Sequence, residues 1–141
     1  MSRSVITLSA YQTTAEQFFT TLIDHRVDLL LDVRLHNTNQ LCGFTKQRDL
    51  AYFAKVIAHA DYLHDVDLAP SQELLQPYLH HDIDFDEYAS GYRALIEGRG
   101  GIALLDRDAG AHGSIAIIGT ATKKRRSHAE VLAQMVADAA K

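Results

Sequence analysis

Apolar positions along the chain fall into two alternating rhythms. Val5 to Leu8 is a short apolar run that reads as a strand. Ala15, Phe18, Phe19, Leu22 and Ile23 then recur at i, i+3, i+4, i+7 and i+8, the spacing of one helix face, and Thr13 with Glu16 offers a capping box to start it. Val27 to Val33, with Leu29, Leu30 and Leu31 uninterrupted, predicts a central strand buried on both faces. After a polar loop the helical spacing returns at Leu50, Phe53, Ala54 and Ile57, and Asp61 to His64 forms a weaker strand pattern. Pro70 and Pro77 bracket an irregular stretch, with one helical turn from Gln72 to Leu75. Phe85, Tyr88, Ala89, Tyr92, Leu95 and Ile96 share a helix face that Gly98 to Gly101 ends, and a short helix follows over Ala103 to Arg107. Ser114 to Ile118 is the last strand. The last helix starts at Ser127, where Glu130 completes a second capping-box pattern.

Strands alternating with helices predict an α/β fold: a three-layer α/β/α sandwich around a mostly parallel sheet of about four or more strands. With 141 residues, 47% apolar and 23% charged, the chain is expected to form one domain over 1–141 with a sizeable core. Cys42 is the lone cysteine, so an intramolecular disulfide and a four-cysteine zinc site are excluded. No run approaches the roughly 18 apolar residues of a membrane span, and the N-terminus lacks a signal-peptide pattern. The expectation is a cytoplasmic protein without a membrane partner.

Ligands of parallel sheets bind beyond the carboxyl ends of the strands. Those ends here lead into Ser9 to Tyr11, Asp32 to Asn37, His64 to Asp67 and Gly119 to His128. The last segment carries Lys123, Lys124, Arg125 and Arg126 directly before a helix N-terminus, where dipole, free N–H groups and cations all favour an anion. A net charge of -4 confines any phosphate contact to such a local patch. Gly119 stands without a following Gly-Lys-Ser/Thr, so the loop is not a glycine-rich phosphate loop.

The ordered motifs Leu31-Asp32-Val33-Arg34, Gly43-Phe44-Thr45-Lys46, Tyr62-Leu63-His64 with Leu68, Phe85-Asp86-Glu87-Tyr88 with Tyr92, and His128 resemble the DUF488 family, a domain of unknown function. The resemblance runs from about Ile6 to Leu132. It implies an α/β sandwich with a site near Asp-Val-Arg and the final loop. Family members usually carry a cysteine and a glutamate after the last strand, then Cys-His-Arg at the last helix. Here those places hold Gly119-Thr120-Ala121 and Ser127-His128-Ala129, so the histidine remains without its cysteines, glutamate and arginine.

Asp32, Arg34 and His128 are therefore the candidate catalytic residues. Arg34 would hold substrate charge, and Asp32 or His128 would do general acid–base work. The competing reading of the first two is an ion pair that closes the strand end. Tyr11, Asn37, Lys46, His64, Lys123, Lys124, Arg125, Arg126 and Ser127 are the candidate ligand-binding residues, although a helix cap is the simpler role for Ser127. His80, His81, Asp82, Asp84, Asp86 and Glu87 look like a metal cluster, but a calcium loop fails for want of glycine at its sixth position. The acids suit a helix N-terminus instead, and neither metal nor cofactor is expected. Asp-Val-Arg at a strand end also occurs in rhodanese-type sulfurtransferases, yet the loop that would carry their thiolate, Gly119 to Arg126, has no cysteine. The expected function is binding of a phosphate-bearing small molecule or nucleotide, with hydrolase or transferase chemistry open. The alternative is a non-catalytic nucleic-acid or protein-interaction module.

Overall fold

A computed structural model describes residues 3–36 and 43–140. The elements run β1 (Ser4–Ser9), α1 (Ala15–Asp24), β2 (Leu29–Asp32), α2 (Gln47–Ala58), β3 (Asp61–His64), α3 (Gln72–Leu79), α4 (Phe85–Arg99), α5 (Ala103–Ala109), β4 (Ser114–Gly119) and α6 (His128–Ala139). The four strands are all parallel and lie in the order β1-β4-β2-β3. The last strand thus inserts between the first two. Ile115 pairs with Val5 on one side and with Leu29 on the other.

Position in the sheet explains the two kinds of strand sequence. β2 and β4 are interior and buried nearly throughout, so they are continuous apolar runs, whereas the edge strands β1 and β3 mix exposed and half-buried residues. Side chains alternate across the sheet. Leu29, Leu31, Ile115 and Ile117 pack with Tyr92 and Ile96 of α4, Leu105 of α5, and Leu132 and Met135 of α6. Leu30, Ala116 and Ile118 face the other way, onto Phe18, Phe19 and Leu22 of α1 and Leu50 and Ala54 of α2. These two apolar layers make the α/β/α sandwich. Each fully buried Leu or Ile contributes about 1.5–3 kcal/mol.

Several expected details differ. The first capping box is one residue later: Thr14 caps α1 and exchanges bonds with Gln17, not Thr13 with Glu16. Ile23 is exposed, next to the last residue of α1. The second box does not form. Ser127 does cap α6, but Glu130 turns to Arg126, 2.8 Å from Nη2. The strand expected over Val27 to Val33 shrinks to Leu29–Asp32, the stretch that pairs with both neighbours. The single turn at Gln72 extends to Leu79 with Pro77 inside it, where the proline donates no bond to the Glu73 carbonyl. α5 likewise runs on to Ala109, where Gly110 takes a positive φ.

Candidate functional site

Past the end of β2 the chain is tied by a knot of polar side chains. Asp32 and Arg34 are 0% and 1% exposed. Period-two alternation puts them on one side, and the Arg34 fork closes on the Asp32 carboxylate, with Nε to Oδ1 at 2.8 Å and Nη2 to Oδ2 at 2.7 Å. Nη2 also donates to the Thr45 carbonyl at 2.6 Å, and the Tyr62 hydroxyl donates to Asp32 Oδ2 at 2.5 Å. Burial alone would lower the guanidinium pKa, but the bonded Asp32 carboxylate overrides it and raises it. Two histidines complete the knot. Nε2 of His64 donates to the Arg34 carbonyl and Nε2 of His128 to the Val33 carbonyl, both at 2.7 Å.

His128 is 2% exposed, at the first position of α6. Burial pulls its imidazole down to about 4, against smaller opposing effects of the Val33 bond and the Asp32 charge. The ring is therefore neutral at pH 7. Because a carbonyl can only accept, the proton is on Nε2 and Nδ1 carries the lone pair. That buried Nδ1 has no hydrogen-bond partner among the described residues. The ring packs edge-on against Tyr92, centroids 5.3 Å apart.

His128 also lines a cavity of about 180 Å³ at the carboxyl edge of the sheet. Tyr11, Leu35 and His36 follow β1 and β2, Thr120 and Arg125 follow β4, and Pro70, Leu75 and Leu79 come from α3 and its approach. The lining mixes three leucines and a proline with the polar side chains of Tyr11, His36, Thr120, Arg125 and His128, apolar walls with convergent polar groups being the usual composition of a small-molecule site.

The four cations before α6 do not act together. A short pairing of Thr122 with Arg125 shapes the loop and turns the side chains apart. Arg125 reaches the cavity, whereas Lys123 and Lys124 are exposed. Arg126 pairs with Glu130 and lies 4.0 Å over the Phe85 ring. Ser127 Oγ is committed to backbone, accepting from Ala129 N–H at 3.0 Å and Thr120 N–H at 3.2 Å. Lys46 lies just before α2, away from the cavity lining, and Asn37 and Cys42 lie outside the described residues. Of the expected site residues, the cavity thus gathers Tyr11, Arg125 and His128. Leu35, His36 and Thr120 fall in the strand-end segments expected to meet a ligand without having been singled out, whereas Pro70, Leu75 and Leu79 were not foreseen. Leu75 ends the single turn expected between Pro70 and Pro77 and Leu79 lies beyond that stretch; their i, i+4 spacing on either side of Pro77 was the available signal. Among the described residues, no three His, Cys, Asp or Glu are placed to hold a metal ion.

The family described as Domain of unknown function DUF488 matches residues 14–136, a span that includes β2, the cavity lining apart from Tyr11, and most of α6. The chain belongs to the DUF488 family. Two relatives of this DUF488 chain are Uncharacterized protein Mb3100c of Mycobacterium bovis and Uncharacterized protein Rv3073c of Mycobacterium tuberculosis. Each is 41% identical over 71 residues, which is 50% of this chain and 58% of the relative. The chain therefore spans less than two thirds of the curated relatives it matches. No solved structure matches it. No helix among the described residues is long and apolar enough to cross a membrane.

Proposed function

We propose that this DUF488 protein binds a small phosphate-bearing molecule in the cavity between α3 and the start of α6. The observation that carries the reading is His128: a buried, neutral imidazole on the cavity wall whose Nδ1 acceptor has no partner among the described residues. A native structure keeps few such groups, and each calls for an explanation at its site. Arg125 on the same wall supplies a planar cation suited to phosphate.

In this reading His128 accepts a hydrogen bond and is a weak base, because its pKa of about 4 lies far from neutral pH. Asp32, Arg34, Tyr62 and His64 are positioning residues that hold the Val33–Arg34 carbonyls against the two histidines. The exposure of Lys123 and Lys124 favours a second reading, in which the loop contacts nucleic-acid phosphates. Thermal unfolding with inorganic phosphate, sugar phosphates, nucleotides and short oligonucleotides tests both. A ligand at 100 times its Kd stabilises by about 2.7 kcal/mol. The first reading expects a small-molecule hit that Arg125→Gln weakens. A hit confined to oligonucleotides, falling steeply with salt, replaces it with the second.

A further inference from the structure

We propose that a second copy of this chain pairs antiparallel with the free edge of β1, about a two-fold axis at Thr7, joining two four-stranded sheets into one. Backbone direction sets the register. Ser4 N–H and Ala10 N–H donate to the Gly113 and Gly119 carbonyls, each at 2.9 Å, so the even-numbered residues of β1 face β4. The N–H and C=O groups of Val5, Thr7 and Ser9 therefore point off the sheet, and no described residue bonds them. A two-fold axis at Thr7 sets Thr7 against its own copy, and Val5 and Ser9 against Ser9 and Val5. Each such pair exchanges both of its N–H···O bonds. Between them Ile6 meets Leu8 of the second copy, which extends the apolar layer that both already share with α1.

Charge selects a copy of the chain as the occupant, because under two-fold pairing a charged strand meets its own charge. Ser4–Ser9 carries none. Arg3, just before it, is turned back onto Asp106 at 2.8 Å and onto the Gly110 and His112 carbonyls. Neither lysine, proline nor a bulge guards the strand, the devices that keep an open edge single. The other edge, β3, is built the opposite way. It has four residues, and its Asp61 bridges Lys55 at 3.1 Å and His112 at 2.9 Å. A two-fold axis at Leu63 would set Asp61 against Asp65, like charge on like charge. β3 therefore stays open and the assembly closes as a dimer. Beside Thr7 and Ser9, a groove of about 250 Å³ walled by Ala121, Ser127 and Ala129 leaves room for the Val5 side chain that the second copy brings opposite Ser9.

Sedimentation of the full chain over a concentration series, with amide hydrogen exchange on the same samples, tests the pairing. The native chain is expected to sediment as a reversible dimer. Thr7→Lys, which puts two like charges at the axis, weakens the dimer by about tenfold or more. Thr7→Pro does the same by deleting an outward N–H that the β1–β4 ladder does not use. Leu63→Lys, on the open edge, leaves the dimer intact. In the native dimer the Val5, Thr7 and Ser9 amides exchange as slowly as those of Ile6 and Leu8. In Thr7→Lys the Val5 and Ser9 amides exchange fast while Ile6 and Leu8 stay protected, an alternation that a misfolded variant would not produce. A monomer at every concentration overturns the proposal and leaves β1 to a different partner or to water. So does a dimer that keeps its affinity in both Thr7 variants, or one that Leu63→Lys dissolves.

Discussion

His128 and Arg34 owe their properties to partners distant in sequence. The His128 imidazole is buried with Nε2–H on the Val33 carbonyl, 95 residues away, so its tautomer is fixed by the end of β2. Nitrogen NMR is expected to show the Nε2–H neutral form at pH 7 and protonation only towards about 4; a midpoint near the ordinary 6.5 would mean that the ring is solvated. Arg34 is matched to Asp32 with both side chains sealed from water. Replacing it by Met leaves an uncompensated buried carboxylate and is expected to cost about 3–5 kcal/mol in urea unfolding. A loss below 1 kcal/mol would show that Asp32 simply takes up a proton or finds water. The sequence located Asp32, Arg34 and His128 because strand ends are readable from apolar runs. It left open which way they face, since that depends on Tyr62 and Thr45, brought in from β3 and the turn before α2.

At the level of elements, the close approach of β4 and α6 decides where His128 can sit. A Cβ on Gly119 would run into Ser127 Oγ and Ala129 Cβ, so glycine lets the helix start directly against the strand end. Gly119→Ala is expected to lose about 1–3 kcal/mol by overpacking and to weaken ligand binding by moving His128. Unchanged stability and binding would show that the junction yields easily. Most elements were legible, because 3.6-residue and uninterrupted apolar patterns survive in β2, α1, α4 and β4. The misjudged details have local causes: Gln17 competes with Glu16 for the cap, and Arg126 draws Glu130 away from Ser127. Pro77 hid half of α3, and with it Leu79 of the cavity.

Across the whole molecule, the insertion of β4 between β1 and β2 helps bring four separated stretches to one sheet edge, where they line the cavity. That order is not encoded in any local pattern, so the cavity lining could be read only in part. Distant groups also compete in the pH response of the fold. Asp108, buried on α5 beside Asp65 and Arg107, is pushed up to about 7, first by burial and then by the Asp65 carboxylate, against the pull of Arg107. A raised acid stabilises the fold below its unfolded value of about 3.8 and loses that contribution as pH rises through about 7. His128 acts in the opposite sense: its contribution is full above 6.5 and is lost as pH falls towards about 4. Between those limits the two slopes oppose each other. Asp108→Asn is therefore expected to gain stability over the native chain progressively from pH 4 to 7, measured as the difference in Tm; a flat difference would place Asp108 at an ordinary carboxylate value.

The central claim is that one cation of the basic run, Arg125, serves the His128 cavity while its neighbours do not. Titration of inorganic phosphate into the native chain, Arg125→Gln and Lys124→Gln tests it most directly, because both substitutions remove the same charge from the same loop. The account predicts a loss of about tenfold or more in affinity for Arg125→Gln and a change of less than about twofold for Lys124→Gln. Equal losses in the two variants would mean that the loop attracts phosphate by its summed charge, and would contradict a built site at His128.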